Sequence, residues 1–261
     1  MLRIGPLLGS TVVVIYGFIL LPLIVILGVS FNDTARLDFP PTGFSLQWYA
    51  ELLHKAAFLH ALLLVSLPVG LISAVCATLL GTLAALGIVR HRFPGREVLQ
   101  GVFLLPLVVP HILLGAALYL WFASLGLSAS LGTLIAGHVL VATPFVIRTV
   151  AAGLVGLDRH IEEAARDLGA SRFGTFVFVV MPQIRSSLIS AAVFALIVSF
   201  SDINIALFVS GPETTTLPVY LFSQIQWESD PSVAAASAGQ IIVIGLTVFA
   251  IQKIFRARVG R

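Results

Sequence analysis

Charge is what this sequence has least of. Asp, Glu, Lys and Arg make up 10% of its 261 residues, whereas an ordinary soluble domain carries about 25%. Hydrophobic residues make up 58%, and mean hydropathy is +1.05. A soluble fold of this length cannot hide that much apolar surface, so the composition calls for a bilayer. Cysteine is almost missing too. Cys76 stands alone inside an apolar run, which excludes an internal disulfide, a dithiol redox pair and a cysteine-built metal centre. The signatures of chemistry are absent as well: there is no Gly-Lys-Ser/Thr phosphate loop, no His-Glu-x-x-His and no Gly-x-Ser-x-Gly. A pI near 9.4 does not point to nucleic acid, because the basic residues are scattered between apolar segments.

What the chain has is long apolar runs, near 7–31, 59–89, 98–123, 131–151, 186–209 and 233–252. Each reaches the roughly 20 residues that a helix needs to cross the hydrocarbon. Only helices satisfy their own backbone there, so the expected fold is all-α, a transmembrane bundle of six helices. The first run exceeds the 7–15 apolar residues of a signal peptide and is read as a retained helix. Pro22, Pro68, Pro106, Pro110 and Pro144 fall within the runs and predict bends. Gly81, Gly87, Gly115 and Gly245 predict close helix approach.

Placing both termini in the cytoplasm puts thirteen of the fifteen Lys and Arg residues inside. These are Arg3, Arg90, Arg92, Arg96, Arg148, Arg159, Arg166, Arg172, Arg185, Lys253, Arg256, Arg258 and Arg261. Only Arg36 and Lys55 fall outside, so the positive-inside rule favours this orientation. Arg148 reads as an anchor reaching for the interface. The outer loop 32–58 offers Trp48 and Tyr49 as interfacial anchors. The outer loop 210–232 carries Glu213, Glu228 and Asp230 and no basic residue.

The inner loop 153–184 is the most informative. Asp158 is placed to cap a helix, and Glu162 and Glu163 sit in its first turns, where the dipole favours acids. Ile161, Ala164, Ala165 and Leu168 recur at helical spacing as one apolar stripe. Gly169 is a natural stop. Ser171 can cap a second helix, expected to end before Pro182. Amphipathicity alone fits either a helix that docks a partner or one lying on lipid headgroups.

The spacing Glu163-Ala164-Ala165, three residues, Gly169, nine residues, then Val179, Val180, Met181 and Pro182 resembles the EAA loop of binding-protein-dependent ABC transporter permeases. Val179 and Met181 stand where the usual pattern has Ile and Leu. FPPTGFSLQWYAELL at 39–53, RHRFPGR at 90–96 and SFSDINIALFVSGPETTTLPVYLF at 199–222 look like the polyamine/opine-type branch of that family. The resemblance implies a type I importer permease of a bacterial inner membrane, with 1–58 as first helix and outer loop. It also implies a five-helix core over 59–252 and a basic tail over 253–261. In such permeases the EAA loop is a coupling helix held in a groove of the cytoplasmic ATPase, which makes Glu163, Ala164, Ala165, Gly169 and Pro182 the docking element. The implied partners are a second homologous permease, an ATP-binding cassette ATPase dimer and an extracytoplasmic solute-binding protein. ATP would be bound by the ATPase, leaving this chain without a cofactor or metal. The cargo best matching the branch is spermidine or putrescine, with opines and amino-acid-derived solutes open.

Asp202 is the one acid within an apolar run. The thirteen Leu, Ile, Val and Phe residues of 186–209 supply roughly −4 to −8 kcal/mol toward insertion, against about +3 for a central Asp. An acid at that depth either lines a pathway, with Asn204 nearby, or pairs with a neighbouring helix for assembly. His111, after Pro110, either lines the pathway or bonds a backbone carbonyl or another helix. His138 carries the same two readings. The rival class is a secondary transporter or channel working without ATP. A membrane-embedded enzyme would need a catalytic constellation that the sequence does not show.

Overall fold

The computed structural model describes residues 6–34, 38–227 and 232–257, and among them every regular element is helical. Arg3, Arg36, Glu228, Asp230, Arg258 and Arg261 lie outside the described residues. Four helices are long and apolar enough to cross a membrane, within Gly9–Val29, Ala56–Arg90, Leu131–Val155 and Ser232–Ile251. Two bent pairs pass the same test when joined, so the number of candidate spans is four, or up to six.

The chain separates into two compact units, Met1–His60 with Tyr220–Gly245, and Ala61–Val219 with Leu246–Arg261. In the first, α1 (Pro6–Val29) is apolar around its whole circumference and almost entirely exposed, as suits a helix facing lipid. The turn after it is tied to α2 (Gln47–His54). The Trp48 indole N–H donates to the Asn32 carbonyl at 2.8 Å, and the Tyr49 and Ser30 hydroxyls meet at 2.7 Å. Both aromatic residues, expected as interfacial anchors, thus use their polar atoms inside the chain. Lys55 reaches Glu51 at 3.0 Å and Ser232 at 2.9 Å.

The second unit holds the larger core. It is built on α3 (Ala56–Arg90), which enters this unit at Ala61, with α6 (Leu131–Val155) and α9 (Arg185–Ser201). Ala74, Ala77, Gly81 and Ala85 recur every three or four positions on α3, so its packed face is made of small residues. A Cβ at Gly81 would lie 2.6 Å from Val146 Cγ1 of α6, which shows how closely the two backbones meet. Gly115, on α5 (His111–Ser124), is equally confined. Gly87 and Gly245, read in the sequence as close-approach sites, face open space instead.

Two apolar runs are not continuous helices. The run 98–123 divides into α4 (Arg96–Val108) and α5, bent by 106°. Pro110 explains the break, because the residue before a proline is driven out of the helical region, and Val109 has ψ 130. The run 186–209 divides into α9 and α10 (Asn204–Val209) at Asp202 and Ile203. Prolines also mark wider, π-type turns: His60–Ser66 precedes Pro68, and Phe176–Val180 precedes Pro182.

Candidate functional site

The loop 153–184 folds as two short helices. The first, α7 (Arg159–Asp167), begins where Asp158 Oδ1 accepts the His160 N–H at 3.0 Å. It ends at Gly169, whose φ of +88 is left-handed. There the Gly169 N–H donates to the Arg166 carbonyl at 2.9 Å and the Ala170 N–H to the Ala165 carbonyl at 3.1 Å. This paired closure satisfies carbonyls that a helix end leaves free. Both ends of α7 are therefore fixed by local hydrogen bonds.

Glu163 and Ala164 are exposed and Ala165 is half-buried. Ile161 is 42% exposed, Leu168 90% and the following Phe173 75%. The apolar stripe of α7 thus faces outward, and solvent-facing apolar groups gathered in this way mark a surface for a partner or a membrane. Glu163 accepts from His160 Nδ1 at 3.2 Å.

Glu162 behaves differently from its neighbour. Its carboxylate lies 2.6 Å from the Arg90 guanidinium, with the two side chains 10% and 11% exposed. Arg166 approaches the same carboxylate at 3.9 Å, and Arg159 Nη2 donates to the Val89 carbonyl at 2.6 Å. Sequence reasoning assigned both acids to the helix dipole and missed this pairing, which joins residues 72 positions apart and leaves no local pattern. A cleft of about 410 Å³ lies alongside, lined by Arg90, Arg159, Glu162, Arg166, Arg172 and Phe176 among others.

The second helix of the loop, α8 (Arg172–Gln183), is capped by Ser171 Oγ, which accepts the Gly174 N–H at 3.0 Å. It continues through Pro182 rather than ending before it. The chain then turns by 79° at Ile184 into α9.

A second polar group lies where α9 stops. Asp202 is not inside a helix, so the cost reckoned for a central acid does not apply to it. Its backbone is extended, with φ −74 and ψ 119. Its Oδ1 accepts the Ile205 N–H at 2.7 Å, opening α10, as a short acid does when it competes with a helix for backbone donors. Its Oδ2 lies 3.3 Å from His111 Nδ1, the first residue of α5, and the Asp202 side chain is 4% exposed. The Asn204 carbonyl packs against α5, where a Cβ at Gly115 would sit 2.7 Å from it. His138 Nδ1 and Ser199 Oγ meet at 2.8 Å, buried between α6 and α9. The structure thus brings Asp202 and His111 together and gives His138 a hydrogen-bond partner in Ser199, which a lone serine did not announce. Arg148 stands exposed on α6. Among the described residues, no group of three or more His, Cys, Asp or Glu side chains is placed to hold a metal.

Comparison with known proteins gives these arrangements a context. The chain is 31% identical over 254 residues to the spermidine/putrescine transport system permease protein PotC of Escherichia coli (strain K12), covering 97% of this chain and 96% of that one. It is 36% identical over 247 residues to the putrescine transport system permease protein PotI of the same strain, covering 91% and 87%. A crystal structure of a bacterial ABC transporter involved in the import of the acidic polysaccharide alginate superposes with a TM-score of 0.71 at 17% identity, over 97% of each chain, and shares the fold. Residues 77–261 match the profile of the binding-protein-dependent transport system inner membrane component. The chain belongs to that family, and is a permease component of an ABC importer rather than an enzyme.

Proposed function

We propose that this permease imports spermidine or putrescine as one half of a two-permease pathway, driven by a separate ATPase pair and supplied by an extracytoplasmic binding protein. The observation that carries the cargo is the pair of near full-length relatives named for polyamines, at 31% and 36% identity. The chemistry of the break after α9 supports it. There the Asp202 carboxylate sits at the C-terminal end of α9, the end whose dipole favours positive charge. The His111 contact holds that carboxylate in place in the conformation described.

Counting each bent pair as one span gives six crossings, and the distribution of Lys and Arg then favours both termini in the cytoplasm. In that orientation α7 projects toward the ATPase, with Ile161, Ala164, Leu168 and Phe173 as the apolar contact and Glu163 at its edge. ATP is bound by the ATPase, and this chain holds no cofactor. Closure of the ATPase pair around ATP draws the two coupling helices together and rotates the attached bundle, opening the pathway to the binding protein.

The test is uptake by the complete transporter in proteoliposomes, with its binding protein outside and ATP inside. Radiolabelled putrescine or spermidine should accumulate only with ATP, and an opine in excess should not compete. Accumulation of the opine, with no polyamine uptake, would reassign the cargo.

A further inference from the structure

We propose that Arg90, Glu162 and Arg159 form a clamp that fastens α7 to the end of α3, so that a displacement of α7 reaches α3 directly. The proposal rests on the reading of α7 as the element seated on the ATPase. Glu162 is the only buried residue on α7. What anchors this helix sideways is thus an acid facing Arg90, the last residue of α3, rather than apolar packing. A buried ion pair is a poor source of net stability, because desolvation offsets the attraction, but it resists separation, since parting the two leaves each charge uncompensated. A helix held by an apolar stripe can slide, whereas one held by a buried charge pair keeps its register.

The second contact works in the same sense. The Arg159 guanidinium donates to the Val89 carbonyl, one of the four carbonyls that the end of α3 leaves without helical partners. The first residue of α7 thereby caps the last turn of α3. Each charge also suits its own helix, with Arg90 at a C-terminus and Glu162 in a first turn. Beyond the clamp, α3 packs through Ala74, Ala77, Gly81 and Ala85 into the core it shares with α6 and α9. Force entering at α7 then has two routes into that core, along the chain through α6 and α8, and across the clamp through α3.

The clamp predicts defects in coupling rather than in assembly. In the complete transporter, Arg90→Gln should leave the ATPase co-purifying at wild-type stoichiometry. It should raise the ATP hydrolysed per solute imported by roughly five-fold or more, the low end of site-to-site coupling. Arg159→Ala removes an exposed side chain and should move the ratio in the same direction. Exchanging the charges, Arg90→Glu with Glu162→Arg, should bring the ratio part of the way back toward wild type, since it restores the pair but sets each charge against its own helix dipole. An unchanged ratio in both single variants, with the complex intact, overturns the clamp. If Arg90→Gln fails to accumulate, Arg159→Ala alone decides. Failure of the wild-type chain to retain its ATPase would instead refute the docking role of α7, so the two readings fail separately.

Discussion

His111 Nδ1 and Asp202 Oδ2 lie 3.3 Å apart, so the first residue of α5 is joined to the break between α9 and α10. Asp202 performs two tasks, since its other oxygen opens α10 through the Ile205 N–H. Asparagine can keep that capping bond through its amide oxygen but carries no charge.

Asp202→Asn therefore separates the two tasks. The variant should insert and assemble normally, while the KM for a polyamine rises by about tenfold, equivalent to ~1.4 kcal/mol of lost attraction. Initial uptake rates across a substrate series give the answer. An unchanged KM would leave Asp202 with the capping role alone.

Glycine packing gives a second contrast. Gly115→Val must displace the Asn204 carbonyl and Phe208, both under 3.0 Å from the new Cβ. Overpacking of this kind costs about 1–3 kcal/mol, so the detergent-solubilised protein should unfold at lower temperature. Gly87→Ala meets nothing and removes a helix-interior glycine, which should stabilise by roughly 0.5–1 kcal/mol. Thermal unfolding of the two variants side by side checks both signs.

The docking surface predicts losses of transport without loss of the protein. Glu163→Lys reverses a charge on an exposed position, and Gly169→Asp places a side chain where φ is +88. Neither touches the core, so membrane levels should match the wild type while ATP-driven uptake falls to background. Near-normal uptake by both would remove the EAA segment from the mechanism.

How much of this could be read in the sequence depended on the range of each interaction. The ends of α7 were legible at Asp158 and Gly169 because caps are local, and the second cap at Ser171 was legible for the same reason. The bend after α4 was signalled by Pro106 and Pro110, yet apolar length alone made 98–123 look continuous. The stop at Asp202 was hidden because the run 186–209, taken as a whole, is long and apolar enough to read as one helix. The Arg90–Glu162 pair was illegible, since it depends on α3 and α7 meeting in space. Close approach was legible as a tendency of glycine but not as a location: Gly81 and Gly115 are confined, whereas Gly87 and Gly245 are not.

The most direct test asks what touches the exposed face of α7 during turnover. Ala164→Cys in a Cys76→Ser background gives a single thiol on that face for a short photo-activated cross-linker, used in membranes holding the complete transporter. The account predicts a cross-link to the ATPase subunit that forms in high yield while uptake proceeds. Labelling confined to lipid, in membranes that still import solute at the wild-type rate, would contradict it.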